Sequence, residues 1–116
     1  MLKEQSFLLA QDREKVIGFM SFRPHYMYED LNDRVETIYV TTVIVDQKYR
    51  GQGITTHLYT EIEEITKQRK LPIMTRTWST NDSHIRVLHN IRMQEVNRIK
   101  DGRGRGLDTV YYRKDV

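Results

Sequence analysis

The stretch VDQKYRGQGI, residues 45–54, decides the fold. It follows a β-branched run at residues 37–45, TIYVTTVIV, and precedes apolar residues at helical spacing: Ile54, Leu58, Ile62 and Ile65. A β-branched run reads as a strand, and the apolar spacing reads as one face of a helix. The order is strand, tight glycine turn, helix. Such a turn offers free backbone N–H groups and a helix N-terminus to an anion. Gly51 and Gly53 let the backbone take positive φ and approach a ligand closely, and Arg50 adds a fixed positive charge. Glycine turns also serve as plain connectors, so the surroundings must say which this is.

Upstream, residues 6–11 and 16–22 read as strands around a polar turn, and they should pair as a hairpin. Pro24 ends the second strand in this reading, and residues 24–33, polar and aromatic, form a loop. The third strand runs from about residue 35 to 45. Downstream, Glu61, Glu63, Glu64, Lys67 and Gln68 cover the outer face of the helix, which ends near Lys70 ahead of Pro72. Residues 73–78 form a strand, residues 79–82 a loop rich in N-cap types, and Ile85, Leu88 and Ile91 mark a second amphipathic helix. Strands at residues 95–99 and 109–112 flank a glycine-rich loop at 102–106. The element order is β-β-β-α-β-α-β-β, an α/β (α+β) fold with a mixed, mostly antiparallel sheet. The crossover through the first helix places the fourth strand parallel to the third.

Composition bounds the rest. A chain of 116 residues suits one domain, here residues 1–116. Hydrophobic residues make up 38% and charged residues 30%, which suits a water-soluble globular protein. No cysteine is present, which excludes disulfides, thiolate metal sites and a cysteine nucleophile. The four histidines, His25, His57, His84 and His89, show no metal-ligand spacing, so no metal is expected. No apolar run approaches membrane-spanning length, and the first residues lack a signal-peptide pattern, so a cytoplasmic location is expected. The net charge of +3 fits an anionic ligand and an ordinary solvated surface equally well.

Residues 45–54, Asn81 ahead of a short helix, and the paired last strands together resemble the GNAT superfamily of N-acetyltransferases, over about residues 6–112. The resemblance implies an acetyl-CoA-dependent enzyme, with acetyl-CoA as cosubstrate and a primary amine as acceptor. By match of position, Arg50, Gly51, Gln52, Gly53 and Thr55 would hold the cofactor pyrophosphate, with Ile54 packing beneath. The third and fourth strands would splay around the pantetheine arm, Val43, Ile44 and Val45 would pair with it through their backbone, and Asn81 would hydrogen-bond near it.

The chain also departs from that pattern. Thr55 stands where the family has glycine or alanine. Leu88 stands at the family's acidic tyrosine, with Arg92 and Met93 at its following glycine and phenylalanine. Leucine cannot donate a proton, so the substitute acid would be Tyr39, Tyr111, Tyr112 or water. Glu36, at the start of the third strand, is the candidate base, ahead of Asp46 and His25. His89 reads as a surface histidine, Trp78 as core, and Tyr26 and Tyr28 as covers of the sheet edge. The family's first strand and two helices have no counterpart ahead of the hairpin, which leads to the expectation of a homodimer. Two other functions compete. One is a non-catalytic CoA-binding or protein-interaction module on the same fold. The other is a nucleic-acid binder through Arg98, Lys100, Arg103 and Arg105, which ranks lowest because these bases are not interleaved with exposed aromatics.

Overall fold

The computed structural model describes residues 5–115. Its six strands form one sheet in the order β1-β2-β3-β4-β6-β5. They are β1 (Ser6–Asp12), β2 (Lys15–Glu29), β3 (Arg34–Val45), β4 (Ile73–Trp78), β5 (Gln94–Gly104) and β6 (Leu107–Lys114). Helix α1 (Ile54–Arg69) joins β3 to β4, and α2 (Asp82–Asn90) joins β4 to β5. The β3–β4 pair is parallel and every other pair is antiparallel, as the crossover requires.

Strand alternation sorts the side chains onto two faces. One face carries Met20, Phe22, Ile38, Val40, Ile73, Val110 and Tyr112, which form the main core with Leu58, Tyr59 and Ile62 of α1 and Leu88 of α2. Both helices therefore cover the same side of the sheet. Full burial of each such aliphatic side chain contributes about 1.5–3 kcal/mol through the hydrophobic effect, which is why the α1 stripe holds the helix in place. On the other face lies a smaller cluster of Tyr28, Tyr39 and Met74, flanked by Tyr26, Val35 and Tyr111. No helix of the described residues covers it.

Two loops anticipated from sequence are largely strand, over residues 24–29 and 102–104. Pro24 does not end β2, which runs on to Glu29. The pairing with β3 shifts register between Arg23 and Tyr26, so Pro24 sits in a bulge where its missing N–H breaks no ladder bond. The turn is confined to residues 30–33, where the Asp30 carboxylate accepts from the N–H groups of Asn32 and Asp33. The 102–106 segment likewise belongs to the last hairpin, with Gly104 opposite Leu107. Asp101, at φ 57°, starts its irregular stretch, and its carboxylate accepts from the Gly106 N–H at 2.8 Å. Tyr26 and Tyr28 consequently stand on a strand in the second cluster and are not loop residues.

Candidate functional site

The sheet opens where β3 and β4 part. Their ladder holds from Ile38–Ile73 to Val40–Thr75 and stops there. Beyond it, Thr41–Val45 and Arg76–Trp78 diverge. The Asp46 N–H donates to the Ile17 carbonyl of β2 at 2.7 Å. Alternation then turns the Ile44 peptide toward β2 and the peptides of Val43 and Val45 into the gap. So Val43 and Val45 offer backbone groups there, whereas Ile44, expected to do the same, adds only its side chain. The gap continues into a cleft of about 660 Å³ bounded by β3, β4, the glycine turn, and the first turns of α1 and α2.

The glycine turn closes one end. Asp46 caps a short 3₁₀ turn (Gln47–Tyr49) by accepting from the Lys48 N–H. Gly51 and Gly53 take φ of 80° and 77°, the left-handed region that favours glycine. Gly53 is the N-cap of α1, and no side chain caps that helix and no acid occupies its first turn. The His57 N–H is the first to find an acceptor, the Gly53 carbonyl at 2.9 Å. Among the described residues, the N–H groups of residues 51–56 therefore donate to no protein acceptor. Six open donors at a helix N-terminus with a nearby arginine form an anion site. Arg50, Gly51, Gly53, Ile54 and Thr55 line the cleft, whereas the Gln52 side chain does not.

The other wall comes from β4 and α2. Asn81 lines the cleft and donates through Nδ2 to Thr77 Oγ1 at 3.1 Å, which leaves its Oδ1 free to accept. Trp78, expected in the core, lines the cleft instead, and the Arg103 guanidinium lies 4.7 Å from its ring centroid. His84 also lines the cleft, with Nε2 2.9 Å from the Tyr59 hydroxyl. Its place went unread because one histidine without metal spacing carries no sequence signal. Only the packing of α2 on α1 brings it there.

Burial lowers the pKa of His84 below its ordinary value of 6.5, so the ring is neutral at pH 7. The unfolded chain gains a proton there near pH 6.5, and the folded chain only at lower pH. His84 thus adds its full share of stability above pH 6.5 and loses it as the pH falls toward the folded value. Urea midpoints should therefore drop less between pH 7 and pH 5.5 for His84→Gln than for the native chain. Parallel drops would show that His84 is not buried.

The candidate catalytic residues divide. Glu36 hydrogen-bonds His25 at 3.0 Å on the exposed surface and does not line the cleft. It lies four residues before Val40, ~13 Å along the strand. The fold therefore does not bring Glu36 to the fork. Leu88 is fully buried in the core, and Tyr112 is also in the core, with the ring of His89 5.9 Å away. Tyr39 does not line the cleft either, but it stands beside the fork, one residue before the last β3–β4 pair, on the face away from the helices. Burial pushes its pKa well above the ordinary 10.0, and no described residue hydrogen-bonds its hydroxyl. It is a phenol that can donate a hydrogen bond and does not ionise near neutral pH.

Two of the four basic candidates of the last hairpin are committed within the fold. Arg98 pairs with Glu95 at 2.9 Å and Asp108 at 3.1 Å, and Arg103 stacks on Trp78. No helix of the described residues is long and apolar enough to cross a membrane. No group of metal-binding side chains is found among them.

Comparison with known proteins agrees with this geometry. The model of the acetyltransferase (GNAT) family matches residues 2–90. No curated protein sequence matches the chain. Among solved structures, Arabidopsis thaliana NAA60 in complex with a bisubstrate analogue superposes with a TM-score of 0.81 at 17% identity, covering 97% of this chain and 76% of that one. The ribosomal-protein-alanine N-acetyltransferase of Brucella melitensis gives a TM-score of 0.74 at 23% identity, covering 95% and 68%. The complex of Arabidopsis thaliana NAA60 with acetyl-CoA gives a TM-score of 0.75 at 18% identity, covering 89% and 67%. At these identities the likeness establishes the shared fold.

Proposed function

The chain belongs to the acetyltransferase (GNAT) family, and on that premise we propose that it transfers the acetyl group of acetyl-CoA to a primary amine by direct attack on the thioester. The observation that carries this reading is the run of open amides at residues 51–56 at the head of a cleft between splayed strands. In this reading Arg50 and those amides hold the pyrophosphate, with the Thr55 hydroxyl beside them. The peptides of Val43 and Val45 hydrogen-bond the pantetheine arm, and Asn81 Oδ1 accepts from it.

Acetyl-CoA supplies an activated thioester, so the protein has only to position it, exclude water and stabilise charge. The new N–C bond forms as the C–S bond breaks, and the proton shed by the amine balances the released thiol. Tyr39 donates a hydrogen bond to the negative charge that develops at the fork. A phenol with so high a pKa is a poor proton donor to a thiolate, so its role is a hydrogen bond and not full transfer. No carboxylate lines the cleft. The amine therefore arrives neutral, helped by the neighbouring guanidiniums of Arg23 and Arg76, which disfavour an ammonium. Self-association forms part of the same reading, supported by the apolar side chains Phe7 and Leu9 exposed on the helix-free face.

Calorimetric titration with acetyl-CoA tests the proposal, together with thiol release in the presence of a panel of primary amines. Saturable binding to the native chain is expected, weakened about tenfold in Arg50→Ala, the worth of one charge-assisted phosphate contact. Absence of both binding and thiol release would overturn the reading.

A further inference from the structure

The helix-free face beside the fork carries two guanidiniums with no acid to answer them. Arg23 lies opposite Tyr39 in the β2–β3 register. Its guanidinium is 5.7 Å from the Tyr26 ring centroid, and that ring lies 4.5 Å from the Tyr39 ring. The Arg23 Nε is fully buried and has no hydrogen-bond partner, and it is the one such side-chain atom among the described residues. Arg76 comes from the neighbouring strand. It lies opposite Tyr111 in the β4–β6 register, two residues beyond Met74, which is itself opposite Tyr39. Arg76 also lines the cleft, so it joins this face to the cofactor side of the fork.

Neither arginine makes an ion pair among the described residues, although their neighbours do. Arg113, which shares the sheet with them, pairs with Asp33 and Asp115, each at 2.9 Å. Arg98 pairs with Glu95 and Asp108. The fold thus gives Arg98 and Arg113 acidic partners on this sheet and gives Arg23 and Arg76 none, with Arg76 meeting the Tyr111 hydroxyl instead. A buried, unpartnered cationic N–H is costly and persists where a ligand completes it. Three tyrosine rings, Tyr26, Tyr39 and Tyr111, wall the same spot. Around the guanidiniums they lower the local dielectric and strengthen any contact with an anion.

We propose that Arg23 and Arg76 form an oxyanion subsite of the acceptor pocket, so that the acceptor is a small amine that also carries a carboxylate. This rests on the acetyltransfer reading for the role of the amine, but the binding itself needs no cofactor. The guanidinium fork matches the two oxygens of a carboxylate, and Tyr39 and Tyr111 add hydroxyl donors. The same contact places the amine of a short amino acid at the fork, within reach of the gap between β3 and β4.

The test is a titration of the uniformly ¹⁵N-labelled chain followed by the arginine Nε–H resonances, assigned with Arg23→Gln and Arg76→Gln. Three probes of one shape are used: benzoate, benzamide and phenyl phosphate. Benzoate should shift both resonances saturably while benzamide does not, and Arg23→Gln should weaken benzoate about tenfold, with partial recovery in Arg23→Lys. Equal shifts with benzamide, or none with benzoate, would overturn the proposal. Tighter binding of phenyl phosphate than of benzoate would overturn the carboxylate assignment. Because the titration involves neither acetyl-CoA nor turnover, its failure is distinct from failure of cofactor binding. Once an acceptor pair is turned over, the free amino acid should show a lower KM than its amide, and the difference should vanish in Arg23→Gln. An unchanged difference would again overturn the proposal.

Discussion

Replacing Gly53 by valine is expected to weaken acetyl-CoA binding ~100-fold while leaving the chain folded, through backbone strain of about 1–3 kcal/mol and loss of aligned phosphate donors. Gly53 holds φ at 77° and ends the turn at the first residue before α1. A β-branched residue is a genuine outlier there. Space is not the obstacle, since a Cβ at this position would meet no atom within 4 Å. The cost is conformational. To relieve it the turn must rotate, and the N–H groups of residues 51–56 then no longer point together. Gly53→Asn is the informative control. Asparagine tolerates the left-handed region, so most of the affinity should return although a side chain is present. Calorimetric titration of both variants with acetyl-CoA, beside circular dichroism for helix content, decides the matter. Equal affinity of the valine variant and the native chain would mean that this turn does not hold the pyrophosphate. Equal loss in both variants would point to simple occlusion by a side chain.

The turn was legible in the sequence because its signal is local. Positive φ demands glycine at residues 51 and 53, the strand before it is β-branched, and the apolar period after it is helical. The splay of β3 and β4 was legible only through the family resemblance, since strand pairing is set by partners far away in sequence. Pro24 shows the limit of a local rule. A proline normally stops a strand, but here a register shift at residues 23–26 absorbs it, and nothing nearby in sequence announces that shift. Glu36 shows another. A carboxylate near the start of the right strand looked like a base, but four residues of strand length separate it from the fork. Arg23, Arg76, Trp78 and His84 carry no spacing signal at all. They come from three elements, β2, β4 and α2, and only the folded sheet with its packed helix brings them to the two sides of the fork. The residues that hold the cofactor are close in sequence, whereas those that face the acceptor are gathered from across the fold.

Removing a single oxygen from that acceptor side, in Tyr39→Phe, should lower kcat by about 100-fold, the usual effect of losing one donor to developing negative charge. The KM for acetyl-CoA should barely move, because the pyrophosphate end of the cleft is untouched. The substitution is clean for a physical reason. No described residue hydrogen-bonds the Tyr39 hydroxyl, so its loss leaves no protein group unpaired. The ring keeps its place against Tyr26, 4.5 Å away, and the residue is 6% exposed, so packing and folding stability should be retained. A structural role for the hydroxyl would therefore show as a lower melting temperature with an intact rate per folded molecule, the reverse of the expected result. The pH profile adds an independent constraint. Burial holds the phenol protonated beyond its ordinary 10.0, so Tyr39 itself imposes no alkaline fall in rate between pH 7 and 10. Over that range the native chain and Tyr39→Phe should run parallel and offset, both rising as the acceptor amine loses its proton. If instead kcat were unchanged in Tyr39→Phe while the KM for the amine rose, the hydroxyl would serve only to line the acceptor pocket. The charge developing at the fork would then be stabilised by the strand amides at Val43 and Val45 alone.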